Sequence, residues 1–244
     1  MKTSLKQLIT PAVFIFSFFT ALNTNSTPAE NGALNQKEKS LVAISSYTAQ
    51  GKTEKLKTAI NDGLDAGLTL NEINEAIVQL YAYCGFPRSL TGIFTFMGVV
   101  NERKEKGIND EQGKEIKLKD VEDRYEQGRK VLEELTGRPQ SKPAPGFGEF
   151  SPRIDAFLKE HLFADIFGSD VLSYHQRELV TIAALASMQG VEPQLGAHLG
   201  MGMNVGVSVD ELEDLFAVIE TSVGIKEAEN GHKLLQSILK NRNN

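Results

Sequence analysis

The sequence predicts an all-helical protein, and three observations carry that expectation. Apolar residues recur at helical spacing behind serine and threonine caps and stop at glycines. No long Val/Ile/Thr alternation occurs, and no Asn-Gly or Asp-Gly pair sits between alternating runs as a hairpin turn would. The chain also matches itself when slid by 139 residues: Leu56 falls on Leu195, Gly63 on Gly202, Gly67 on Gly206, Thr69 on Ser208, Glu72 on Glu211 and Gly85 on Gly224. These are caps, stops and core positions, so the match predicts two related helical modules rather than a chance likeness.

Composition sets the outer bounds. With 244 residues, of which 41% are hydrophobic and 24% charged, the chain can bury a sizeable core. Its net charge of -6 lacks the basic surplus of a nucleic-acid binder, so no nucleic-acid partner is expected. Its one cysteine, Cys84, excludes an intrachain disulfide, a CxxC redox pair and a cysteine-built zinc site.

At the N-terminus, Lys2 and Lys6 precede an apolar run, Ala12 to Leu22, and then small polar residues from Asn23 to Thr27. The run is about half the roughly 20 residues a membrane span needs, so residues 1–26 read as an export signal. Removing it takes away two lysines and shifts the net charge from -6 to -8. The mature protein is then expected in the periplasm or outside the cell, with no stable membrane span.

Residues 27–120 form the expected first module, with Thr69-Leu70-Asn71-Glu72 as a capping box and Gly67 as a left-handed helix end. Pro87 reads as a helix stop, and the Lys/Glu-rich residues 101–120 as a solvated stretch. Residues 121–150 form the connection: an amphipathic helix over 121–137 with Val121, Tyr125, Val131, Leu132 and Leu135 inward, then a Pro/Gly loop over 138–150. The second module covers 151–244. Ser151-Pro152 opens a helix, Ser173-Tyr174-His175-Gln176 is a capping box, and Ser208-Val209-Asp210-Glu211 repeats the box of the first module.

Most polar candidates have a structural reading. Glu72 and Glu211 complete capping boxes, which explains them fully. His161, His175 and His232 lack metal-ligand spacing, so no metal is expected. Tyr81 and Tyr83 stand two apart on a helix, so at most one faces a given pocket. Gly200, Gly202 and Gly206 have no preceding strand and suggest close helix packing instead of a dinucleotide site.

Arg177-Glu178-Leu179-Val180-Thr181-Ile182-Ala183-Ala184-Leu185, followed by His198 and Gly206, resembles the carboxymuconolactone decarboxylase family. So do Phe163-Ala164-Asp165-Ile166-Phe167, the Tyr83-Cys84-Gly85-Phe86-Pro87 element, and Asp123 to Gly128 with Val131-Leu132. The resemblance covers roughly residues 35–240 and implies two tandem all-α modules of the alkylhydroperoxidase D-like type, with ring assembly into a homo-oligomer. One chemistry of that superfamily needs a CxxC pair. Here the corresponding positions hold Val191 and Gln194, or Lys52 and Lys55, so dithiol exchange is not expected.

The other implied chemistry is cofactor-free decarboxylation of a small carboxylated lactone. That chemistry needs a general acid and a cation or donor, for which His198 is the acid/base candidate, Arg177 a carboxylate grip and Glu178 the group that orients His198 or relays its proton, with Tyr83 and Phe86 against substrate. Two alternatives stay open at this level: a non-catalytic helical binding protein, and a weak peroxidase using Cys84 alone.

Overall fold

A computed structural model describes residues 33–117 and 122–242; the expected export signal lies outside them. Every regular element among the described residues is helical. The first module begins with α1 (Gln36–Gln50), capped by Asn35 in a capping box with Glu38, and α2 (Thr53–Asp65) follows. Next comes α3 (Leu70–Glu105), which starts at the expected Thr69/Glu72 box. Gly85 splits α3 into two arms because its backbone (φ 80°, ψ 159°) lies where essentially only glycine goes.

That break corrects the reading of Pro87. Gly85 ends the first arm, and Pro87 falls in the opening turn of the second, where its missing N–H costs nothing. The second arm runs on to Glu105, so part of the stretch expected to be solvated is helical. Beyond it the chain straps back, with the Leu70 and Asn71 amides donating to Glu111 and Gln112 carbonyls.

The connection holds α4 (Arg124–Thr136), as expected, and a four-residue helix, α5 (Phe147–Phe150), inside the Pro/Gly segment. In α6 (Pro152–Ala156) the proline occupies the first turn, but Ser151 makes no side-chain cap. α6 runs directly into a π-helical segment, Phe157–Ile166. α4 packs closely on that segment because Gly128 lacks a side chain: a Cβ there would stand 1.7 Å from the Lys159 carbonyl oxygen.

The second module repeats the first through α7 (Tyr174–Ala186), α8 (Glu192–Asn204), α9 (Val209–Ser222) and α10 (Ile225–Arg242). α2 and α8, and likewise α3 and α9, begin 139 residues apart. The caps of α1 and α7, Asn35 and Ser173, stand one residue closer, so α7 aligns with α1 at an offset of 138. Gly67 and Gly206 are left-handed (φ 91° and 99°), as expected.

The modules share cores. α1 lies against α7 and also reaches α9, while α7 reaches α3. Val180 and Ala184 of α7 belong to the core built by α1, α2 and α3, and Leu34 and Val42 belong to the core of the second module. Each fully buried aliphatic side chain of this kind contributes about 1.5–3 kcal/mol, so neither half keeps its own core if the other is removed. A third cluster, with Val131, Leu135, Phe163 and Met201, seats the connection on α8.

Candidate active site

The Ser173 cap fixes where α7 begins and so places Arg177 and Glu178 in its first turns. Adjacent helical residues point about 100° apart, and these two reach different neighbours. Glu178 faces α8, which comes close because Gly202 has no side chain; a Cβ there would lie 3.1 Å from Ile182 Cδ1 and 3.5 Å from Glu178 Cβ. Gly202 stands one turn after His198, so the same face of α8 that admits α7 carries the histidine.

His198 Nδ1 and Glu178 Oε2 are 2.8 Å apart, with both residues buried. A carboxylate acceptor selects the tautomer with hydrogen on Nδ1 and leaves Nε2 as the unprotonated ring nitrogen. Nε2 makes no hydrogen bond among the described residues. The Tyr83 ring stands edge-on to the imidazole with centroids 5.3 Å apart. Burial, and then the nearby Glu178 carboxylate, push the Tyr83 hydroxyl far above its ordinary pKa, so it stays protonated. Three buried atoms in this neighbourhood, Tyr83 Oη, Glu178 Oε1 and Arg177 Nε, have no hydrogen-bond partner among the described residues.

His198 and Tyr83 line a cavity of about 750 Å³ between α8, α4 and the π-helical segment. Its wall is largely apolar, with Leu132, Leu158, Leu162, Phe163 and Met201. Lys159 and Asp155 also reach it. Lys159 Nζ donates to Asp155 at 2.8 and 3.0 Å, to Tyr125 Oη at 2.8 Å and to the Ser141 carbonyl at 2.9 Å. Burial would raise the Asp155 carboxyl, but the bonds from Lys159 and Tyr125 outweigh it and hold the pKa below the usual range.

The structure therefore brings together His198, Glu178 and Tyr83, as the sequence suggested, but not the other two candidates. Arg177 is fully buried and does not line the cavity. Its Nη1 donates to Gln79 Oε1 at 2.7 Å, and its Nη2 to Glu75 Oε1 at 2.7 Å and to the Ser169 carbonyl at 3.0 Å. Gln79 Nε2 donates back to the Arg177 carbonyl and to Thr181 Oγ1. The guanidinium thus ties α7 to α3 across the module boundary and is not available as a carboxylate grip. Phe86 is exposed, outside the cavity wall, and stacks on Tyr81 at 4.5 Å.

Cys84 has little of what peroxidase chemistry needs. Burial pushes its thiol up to about 11 although Arg88 pulls the other way. Little thiolate exists at neutral pH, and the chain holds no resolving cysteine.

Outside the cavity, His175 stands between Glu211 (3.1 Å) and Glu38 (3.9 Å), joining α7 to α9 and α1. Each glutamate already completes a capping box through its other oxygen. The repeat also gives the dyad a counterpart place in the first module. A smaller hollow of about 300 Å³ there includes Ser40, at the position of Glu178, and Ala59, at that of His198.

Sequence reasoning missed Lys159, Asp155, Arg138 and Arg242, all on the cavity wall. They come from the connection and the last residues of α10, where neither a motif nor the repeat marks them.

Comparison with known proteins gives a consistent set. The model of the carboxymuconolactone decarboxylase family matches residues 15–94 and 152–236, more than half of the chain. A 4-carboxymuconolactone decarboxylase of Acinetobacter baylyi is 28% identical over 120 residues, which cover 49% of this chain and 89% of that protein. One such relative thus corresponds to half of this chain. A solved structure assigned as a gamma-carboxymuconolactone decarboxylase subunit of Burkholderia xenovorans LB400 shares the fold, with a TM-score of 0.51 and 22% identity over 86% of this chain and 80% of that one.

Replacing Arg177 by Met removes the charge that compensates the buried Glu75. The expected loss is about 3–5 kcal/mol of stability in urea denaturation. Arg177→Lys should recover only part of it, because an ammonium cannot reproduce the two-pronged contact with Glu75 and Gln79.

Proposed function

The chain belongs to the carboxymuconolactone decarboxylase family, and from that premise we propose that it decarboxylates, or moves a proton on, a small carboxylated lactone without a cofactor. The observation that supports this most directly is the buried Glu178–His198 pair, whose histidine stands on the wall of a mostly apolar cavity. Such a pair is costly to bury and contributes little to the core, but it suits a poised acid/base.

The chemistry follows from the pair. As the bond from the ring carbon to its carboxylate breaks, carbon dioxide leaves and the electron pair passes into the lactone carbonyl. His198, protonated, delivers the Nε2 proton to that carbon as the electron pair returns, and neutral His198 is recharged from solvent. Glu178 accepts the Nδ1 hydrogen throughout, holding the ring's orientation and stabilising the imidazolium. The apolar wall destabilises the departing carboxylate relative to a state in which its charge is spread. In the proton-transfer variant the same nitrogen removes and returns the proton.

His198→Gln keeps an amide donor for Glu178 but has no titratable nitrogen. Turnover of a carboxylated butenolide, followed by carbon dioxide release, should fall by about a hundredfold or more in this variant with little change in Tm. Unchanged turnover would remove His198 from the reaction.

The basic–apolar–polar order of residues 1–26 supports export as part of the proposal. Fractionation of cells producing the full chain should place it outside the cytoplasm in a form shortened by about 26 residues. Recovery of the unshortened chain in the cytoplasm would exclude it.

Self-association is also proposed. Phe86, Leu90, Phe94 and Met97 are exposed along one face of the second arm of α3. Sedimentation should show an oligomer that Phe94→Asp breaks into monomers; a monomeric parent protein would overturn this part.

A further inference from the structure

One cluster outside the cavity is short of positive charge. Glu38 of α1, His175 of α7 and Glu211 of α9 meet where the two modules join, and none of them lines the cavity. Their side chains are 16% to 23% exposed, so ions in solvent can reach them. Among the described residues, no lysine or arginine pairs with either glutamate. Asp214, one turn further along α9, brings a third carboxylate toward α1, where it accepts the Leu34 amide at 3.0 Å. With His175 neutral, the carboxylates have no cation beside them.

The internal repeat shows that this imbalance belongs to one copy alone. At the offsets that relate the helices, His175 corresponds to Lys37, Glu38 to Gln176 and Glu211 to Glu72. The sister set holds one permanent cation, one carboxylate and one neutral amide, and so balances itself. This set holds two carboxylates and an imidazole, each of a type that ligates metals. The glutamates are also oriented in advance. Oε2 of Glu38 accepts the Asn35 amide at 2.9 Å, and Oε2 of Glu211 accepts the Ser208 amide at 2.7 Å. Oε1 of each is left facing the ring, 3.9 Å from Nδ1 and 3.1 Å from Nε2 respectively. A hydrogen-bond donor behind a carboxylate is what fixes such a group as a metal ligand.

We infer that Glu38, His175 and Glu211 bind a divalent transition-metal ion of the zinc class, which clamps α1 of the first module to α7 and α9 of the second. Ligands at about 2.0–2.2 Å around one tetrahedral ion stand roughly 3.4 Å apart. One ring nitrogen and one oxygen from each glutamate already lie within 4.8 Å of one another. Closure by about 1 Å completes the set and leaves the fourth position to water. An imidazole beside two carboxylates suits zinc better than calcium or magnesium, which take oxygen ligands. The three residues come from three helices, so no local spacing marks them in the sequence. His175 lies in the first turn of α7, just ahead of Arg177 and Glu178, so the ion steadies the turn that positions both. The clamp does not depend on the reaction proposed for the cavity.

Calorimetric titration of the full chain with zinc chloride, followed by thermal unfolding, tests this. One ion should bind per chain, and Tm should rise by about 5 °C or more at a hundredfold excess over Kd. Glu38→Gln and Glu211→Gln keep their capping boxes, because glutamine serves at that position. Each should nevertheless bind zinc about tenfold or more weakly and lose the rise in Tm. His175→Gln, which keeps an amide donor toward Glu211, should behave in the same way. His198→Gln and His232→Gln should bind as the parent protein does, and magnesium should give no shift at the same concentration. No stoichiometric binding by the parent protein, or equal affinity in His175→Gln and Glu211→Gln, overturns the site and leaves only an ion-paired helix clasp. Affinity lost in His198→Gln but kept in His175→Gln would put the ion in the cavity and overturn the site as well.

Discussion

Two opposite charges side by side at the start of α7 constrain everything around them. Arg177 and Glu178 are both fully buried, and a buried charge without a partner costs several kcal/mol. They point about 100° apart, so one module cannot satisfy both. Glu75 and Gln79 from the first module close around Arg177, and His198 from the second closes on Glu178. The packing of α3 on α7 and of α8 on α7 is set by these needs as much as by apolar area. The histidine inherits its orientation from a carboxylate whose own helix is anchored by the neighbouring arginine.

Much of the fold was legible because helix punctuation is local. Ser173, Thr69 and Ser208 cap where their own sequence neighbours said they would, and Gly67 and Gly206 turn left-handed one residue past a helical turn. The 139-residue offset added the tertiary information, since two copies with the same caps and stops fold the same way. Pro87 was misread because its meaning depends on Gly85: a proline after a helix end begins the next helix, and only the backbone at residue 85 shows that the end has already come. The π-helical segment at 157–166 left no trace in the pattern, because one extra residue per turn does not alter which residues are apolar.

The site was half legible. His198 and Glu178 were marked by resemblance and by sitting at helical spacing amid apolar neighbours. Arg177 came with the same motif, yet its role depends on Glu75, which is 102 positions away in the chain, and no local rule distinguishes a clasp from a grip. Lys159, Asp155, Arg138 and Arg242 gather at the cavity only because α4 lies on the π-helical segment and α10 folds back on α8. Gly128 makes the first of these contacts possible, and nothing in the Pro/Gly-rich connection announces it.

The hollow with Ser40 and Ala59 in place of the glutamate and histidine has a different implication. When identical subunits assemble, one gene writes every site, and a change that ruins one ruins all. Covalent fusion removes that coupling. Once both copies travel in a single polypeptide, one can drift while its sibling keeps the paired imidazole and carboxylate, and the first copy's helices still serve as the wall against which the other is built. Division of labour within one molecule, rather than economy of parts, is what the tandem arrangement makes possible.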